Sequence, residues 1–175
     1  MTQSDWTEPF RAARVSAVHL EMRDNYAVGD ETGPFDRWRA TGEADLDPES
    51  DMWRPWTSLA RDLVASGVRM RRARIVSEPV TEYIRYEHAG TTVNLNVGEE
   101  VRWLPRRQAA DLALPGADFW LFDGTTVVFN HFTGDGDWAE DGIETRNDPA
   151  VAKLCGDAFE AVWARAIPHE EYKMR

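Results

Sequence analysis

The sequence predicts an α/β fold: a single domain over residues 1–175, with a mixed, twisted sheet flanked by helices. Three observations predict it. Short runs of strand character alternate with segments whose apolar residues recur at helical spacing, the pattern of a layered α/β unit. The chain is 42% hydrophobic and carries eight tryptophans, enough for a packed core. Its 175 residues fit one domain, for which roughly 100–200 residues is usual.

The elements follow in order. "SDWTEPFRAA" (4–13) makes one short helical turn. "AVHLEMRD" (17–24) alternates, with Val18, Leu20 and Met22 on one face and His19, Glu21 and Arg23 on the other, as in a half-buried strand. "TGPFDRWRATGE" (32–43) is a short helix with Pro34 in its first turn, and "EADLDPES" (43–50) an acidic loop. From Trp53 the period becomes helical through Trp56, Leu59, Ala60, Leu63 and Val64, and Gly67 caps the end. "VRMRRARIV" (68–76) is a strand in which strict alternation fails. Val68 and Met70 share one parity and Ala73 and Ile75 the other, so a bulge near Arg71 and Arg72 is expected. "SEPVTEYIRYEHAG" (77–90) is a helix capped by Ser77 and ended by Gly90, after which "TTVNLNV" (91–97) alternates like a strand. "EEVRWLP" (99–105) is a short strand stopped by Pro105. "ADFWLFDGTTVVFNHF" (117–132) is a hairpin turning at Asp123-Gly124, and "TGDGDWAEDGIETRN" (133–147) an acidic loop. The last helix has Asp148 as its cap and Pro149 in its first turn. Val151, Leu154, Cys155, Ala158, Val162, Trp163 and Ala166 form its apolar stripe, and Pro168 closes it.

Composition narrows the function. The formal net charge is -11, which repels nucleic acid, whose affinity for proteins rests on neutralised phosphates; direct nucleic-acid binding is not expected. Of the 20 basic residues only Lys153 and Lys173 are lysines, a bias that a GC-rich genome produces by codon usage. The single cysteine, Cys155, allows no internal disulfide. With no signal-like start and no long apolar run, a cytoplasmic protein without a membrane span is expected.

Several stretches carry a resemblance: "RRARIVSEPVTEYIRYE", "GEEVRWLPRR", "LPGADFWLFDG" and "AFEAVWARAIPHEEY", supported by "VHLEMRDNY" and "PFDRWRATG". Together they resemble an uncharacterised actinomycete family, a domain of unknown function whose genes often lie near helix-turn-helix regulators. More distantly, the order strand, helix, "GEEVRWLP" strand and "FWLFDG" hairpin is similar to half of a phospholipase D-like domain. In such enzymes a motif H-x-K-x-x-x-x-D-G precedes the hairpin turn; its histidine forms a phospho-intermediate or transfers a proton, and its lysine holds the phosphate. With Asp123-Gly124 at that D-G, the histidine position falls on Gly116 and the lysine position on Asp118. Glycine cannot attack phosphorus and aspartate repels phosphate. The resemblance therefore implies a degenerate half-domain.

The candidate sites each have a plain structural alternative. "RMRRAR" (69–74) contributes Arg71, Arg72 and Arg74, and Arg102, Arg106 and Arg107 add another basic stretch. Either these arginines form one field that recognises an acidic protein surface or a phosphate, or they are a strand face paired with the protein's own acids. Trp120 lies between Asp118 and Phe122 on one face of the hairpin, as a pocket floor or as core. Glu21 and Arg23 form a cleft wall or an ion network. Glu21, Asp118 and Asp123 are the carboxylates available for acid–base chemistry. The four histidines, His19, His88, His131 and His169, show no zinc-ligand spacing, and "GDGDWAED" lacks the calcium-loop pattern. No metal or cofactor is implied. Three functions remain: an adaptor binding a partner protein such as a helix-turn-helix regulator, a sensor of a phosphorylated small molecule or nucleotide, and an enzyme with a carboxylate site.

Overall fold

Three parallel strands stand at the middle of one seven-stranded sheet. The computed structural model describes residues 6–27 and 29–175, with side chains described for 6–27 and 33–175. Its elements in order are α1 (Glu8–Ala12), β1 (Ser16–Glu21), α2 (Gly29–Thr41), α3 (Arg54–Ala65), β2 (Arg69–Val76), α4 (Glu82–Asn96) and β3 (Glu100–Pro105). A short 3-10 turn (Arg106–Ala109) leads on to β4 (Asp118–Phe122), β5 (Thr126–Phe132), β6 (Trp138–Arg146), α5 (Pro149–Arg165) and β7 (Ile167–Pro168). The strand order is β6-β5-β4-β1-β2-β3-β7. β1, β2 and β3 run parallel, and the β4, β5 and β7 pairings are antiparallel, so the sheet is mixed as predicted. Ser4 and Asp5 of the predicted first turn lie outside the described residues.

Two layers cover the sheet. On one face Val18, Leu20, Ala73, Ile75, Leu104, Phe119 and Leu121 pack against Cys155, Phe159 and Val162 of α5. On the other, Ala17, Met70, Trp120 and Phe122 meet Phe10 of α1 and Ala60 and Leu63 of α3. Beside them Val101 and Trp103 pack with Tyr83, Ile84 and Tyr86 of α4 and with Tyr172. A sheet covered on both faces has no wet side, and this corrects the half-buried reading of β1: His19 is as buried as its neighbours.

Three local signals for turns and caps are obeyed. The hairpin turns at Asp123 (φ 51) and Gly124 (φ 68), as expected, but its loop is three residues long, Asp123, Gly124 and Thr125 standing between the paired Phe122 and Thr126. Asp148 caps α5, its side chain accepting from the amides of Ala150 and Val151. Gly67 (φ 93) follows α3 in the left-handed region.

Several expectations are corrected. β2 has no bulge: its pairing with both neighbours is continuous, Ser16↔Arg69 through Glu21↔Arg74 and Arg71↔Glu100 through Val76↔Pro105. The apolar residues change parity because arginines are buried on both faces. Residues 91–96 belong to α4, not to a strand. The helix starts later, capped by Thr81, and runs through Gly90, beside which Trp53 packs at 3.2 Å from where a Cβ would stand. Thr91 Oγ1 donates to the Glu87 carbonyl one turn back, satisfying itself within the helix. The acidic segment 133–147 contains β6, and Leu154 is 47% exposed while Phe159 takes the buried place on α5.

Candidate functional site

The arginines of β2 divide between the two faces of the sheet, because successive residues of an unbroken strand alternate. Arg71 turns toward α5. Its guanidinium lies 4.9 Å from the Phe159 ring centroid and 5.3 Å from that of Trp163, and it forms a two-pronged pair with Glu160 at 2.6 and 3.1 Å. Arg102 on β3 lies on the same side, 4.3 Å from the Trp163 ring, with Nη1 donating to the Trp163 carbonyl. Trp163 thus carries two guanidinium groups, and the C-terminal end of α5 is clamped to the sheet.

Arg72 and Arg74 turn the other way, into a buried ion network. Arg72 Nη1 donates to Glu21 Oε1 at 2.6 Å and its Nε to Glu99 Oε1 at 2.7 Å. Its guanidinium stands 5.5 Å from each of the Trp56 and Trp120 ring centroids. Arg74 approaches Glu21 Oε2 at 2.7 Å and Glu87 Oε2 at 2.6 Å, close ion contacts bent outside hydrogen-bond geometry. Its ring neighbour is Trp103. The Glu99 side chain is fully buried and also accepts from Asn94 Nδ2 at 2.7 Å. His19 Nε2 lies 3.1 Å from Glu21. Burial acts against the Glu21 carboxylate, but Arg74 and Arg72 hold it well below its ordinary range. Burial lowers His19, despite the carboxylate beside it. Three carboxylates and two guanidinium groups are therefore fixed in low dielectric by mutual pairing, which is how such charges survive burial.

Asp118 extends this network along the sheet. It opens β4 next to the C-terminal end of β1, accepting from the Met22 amide at 2.9 Å and from the Tyr26 hydroxyl. Burial pushes its carboxyl up to about 6; the Tyr26 hydrogen bond works against this rise and the charge of Glu21 adds to it. Trp120 is core, stacked on Phe122 and 4.2 Å from His19 between ring centroids. Arg23 stands outside the network, over Phe132, with Nη2 donating to the Thr133 carbonyl. Asp123 is at the far end of β4, about 17 Å of strand away from Asp118. Its carboxylate accepts from the amides of Arg14, Val15 and Ser16, anchoring the hairpin to the start of β1. Glu21 and Asp118 are thus neighbours, and Asp123 is separate from both.

The single arginine field is not formed. Arg71 and Arg102 serve one layer, Arg72 and Arg74 the other. Arg106 binds the strand ends together: its Nη2 donates to the carbonyls of Met22 (2.6 Å) and Ile75 (3.2 Å), and its Nε to Ser77 Oγ. Cys155 is buried, and burial raises its thiol to about 11. Among the described residues no three His, Cys, Asp or Glu side chains converge as a metal site, and no helix is long and apolar enough to cross a membrane. Among the described residues one hollow of about 440 Å³ lies between α1 and α3, and another of about 370 Å³ along β3 and β7. The second is lined by Arg102 and Glu99, and neither is lined by Arg71, Arg72 or Arg74.

Sequence reasoning missed Glu87, Asn94, Glu99, Tyr26 and Glu160. The available signal was stoichiometric: arginines inside a strand too apolar to face water need carboxylates from elsewhere. Chemically the cluster holds charge in place and offers no open nucleophile.

Residues 4–174 match the family model described as Domain of unknown function (DUF6879). No curated protein matches the sequence. Among solved structures, a phospholipase D family member, Nuc from Salmonella typhimurium, is 11% identical with a TM-score of 0.52, over 91% of this chain and 85% of that one. TrmBL2, an archaeal chromatin protein, is 14% identical with a TM-score of 0.46, over 91% of this chain and 47% of that one. The likeness to Nuc shows a phospholipase D-like fold.

Proposed function

We propose that the chain, which belongs to the DUF6879 family of unknown function, is a non-catalytic module that binds a partner protein. One observation carries this reading: Arg71, Arg72 and Arg74, which would have to meet a phosphate, are matched by the protein's own Glu21, Glu87, Glu99 and Glu160. With Asp123-Gly124 aligned on the D-G of the phospholipase D motif, its histidine and lysine fall on Gly116 and on an Asp118 already engaged by Tyr26 and Met22. A sensor of phosphorylated ligands would first have to break its internal pairs, and a carboxylate enzyme would have to work without Asp123. The partner we favour is a helix-turn-helix transcription regulator in an actinomycete cytoplasm, on the resemblance to a family whose genes often lie near such regulators.

The test is capture of the partner by the tagged protein from its native cytoplasm, identification by mass spectrometry, and reconstitution of the purified pair. A stoichiometric complex with a regulator is expected. Robust turnover of a substrate by the purified chain alone overturns the reading.

A further inference from the structure

We propose that the outer edge of β6 is a docking strip for an extended, basic polypeptide segment that adds to the sheet as an eighth strand. The proposal rests on the partner-binding reading and names the surface and the chemistry of what it receives.

The sheet ends differently on its two sides. At one end stands β7, two residues long and finished by Pro168, which has no amide to offer. At the other, β6 pairs with β5 alone, through Ile143–Arg146 opposite Val127–Asn130 and Trp138 opposite Phe132. Its outward backbone groups have no strand partner among the described residues, the arrangement used in strand addition.

Side chains give this edge a chemical preference. Trp138 (46% exposed) and Ile143 (44%) are large apolar residues in the open. Trp138 is a fixed platform: its ring lies 4.6 Å from that of Phe132, and a Cβ on Gly142 would stand 2.9 Å from its Cε3. Around it Asp135, Asp137, Glu140 and Asp141 are exposed, and none forms an ion pair among the described residues. Glu144 differs, being held by His131 and Arg146. Four uncompensated carboxylates beside an aromatic anchor select a cationic chain. A second copy of this protein would bring the same four acids against these ones, because a two-fold interface pairs a patch with itself.

The experiment uses the full chain and a fluorescent octapeptide of alternating lysine and valine, read by anisotropy. Controls are the glutamate–valine octapeptide and a lysine–valine octapeptide N-methylated at alternate residues. Micromolar binding of the lysine peptide is expected, at least tenfold weaker to Glu140→Lys/Asp141→Lys and to Trp138→Ala, and lost on N-methylation. The double variant changes only exposed side chains, so its thermal unfolding should match wild type. No binding to wild type, or equal binding to the double variant or of the N-methylated peptide, overturns the proposal. So does a sedimentation-detected dimer that the double variant abolishes and the peptide fails to dissociate. If the reconstituted regulator still binds the double variant as it binds wild type, the edge proposal falls and partner binding stands. If neither peptide nor partner binds, both fall.

Discussion

Arg72 and Glu99, which lie 27 residues apart in sequence, meet at 2.7 Å, with the Arg72 guanidinium beside two tryptophans and the Glu99 side chain fully buried. This pair joins the central parallel strand β2 to the segment entering β3, and its energetics follow from its burial. Removing one partner leaves an uncompensated charge in low dielectric, at a cost of about 3–5 kcal/mol, whereas apolar replacement of a whole pair is often neutral.

Glu99→Gln should therefore lose about 3–5 kcal/mol in equilibrium urea unfolding. It exposes Arg72 to a neutral amide and sets a second amide nitrogen against Asn94. The Arg72→Met/Glu99→Met double variant should lose clearly less than the sum of the single changes, leaving Glu21 to Arg74. Additivity in this cycle would show that the two residues are not energetically coupled.

Asp118 makes stability depend on pH. Its carboxyl sits at about 6 in the folded protein against an ordinary 3.8. The folded state thus holds the proton more tightly, and the stabilisation present below the ordinary value is lost as pH rises through 6. At ~1.4 kcal/mol per pKa unit, the full effect is about 3 kcal/mol. Asp118→Asn does not titrate, so its stability relative to wild type should rise by about that amount between pH 3.5 and pH 7.5. A constant difference across the range contradicts the assignment.

Asp123 anchors the hairpin through three amides, which hold its carboxyl below the usual range although burial opposes them. Asp123→Ala should cost about 2–3 kcal/mol, from lost charge-assisted bonds and a left-handed backbone at φ 51. Asp123→Asn keeps an acceptor and tolerates that backbone, so it should recover about half. Urea midpoints of the two variants measure the difference.

Gly67 and Gly98 separate backbone strain from crowding. Both have φ near +93, but a Cβ on Gly67 meets open space and one on Gly98 would stand 2.9 Å from Val64 Cγ1. Gly67→Ala should cost about 1 kcal/mol and Gly98→Ala at least twice that, by thermal or urea unfolding.

What could be read from the sequence was what neighbours in the chain decide. The turn at Asp123-Gly124, the Asp148 cap and the end of α3 at Gly67 are local chemistry, and they stand where the residues place them. The segment 91–96 misled because Val93, Leu95 and Val97 alternate by coincidence along a helix that Gly90 does not end. β6 escaped notice because an acid-rich edge strand lacks the β-branched alternation of an inner one. The arginines of β2 were visible, but their role was not. Parity breaks when charge is buried on both faces, and the glutamates that permit this come from residues 21, 87, 99 and 160. Only the topology brings them there.

The position of β1 has a consequence for biogenesis. It is a central strand, flanked by β2 on one side and β4 on the other. Translation delivers β2 some 50 residues after β1, but β4 only after roughly 100, once Asp118–Phe122 have been made. Until then the nascent chain presents an apolar strand with one side unzipped, and Asp123 has not yet tied down the amides of residues 14–16. At that stage the ribosome-bound chain carries an unpaired strand side of the kind that invites aggregation, and the hairpin is the segment that covers it.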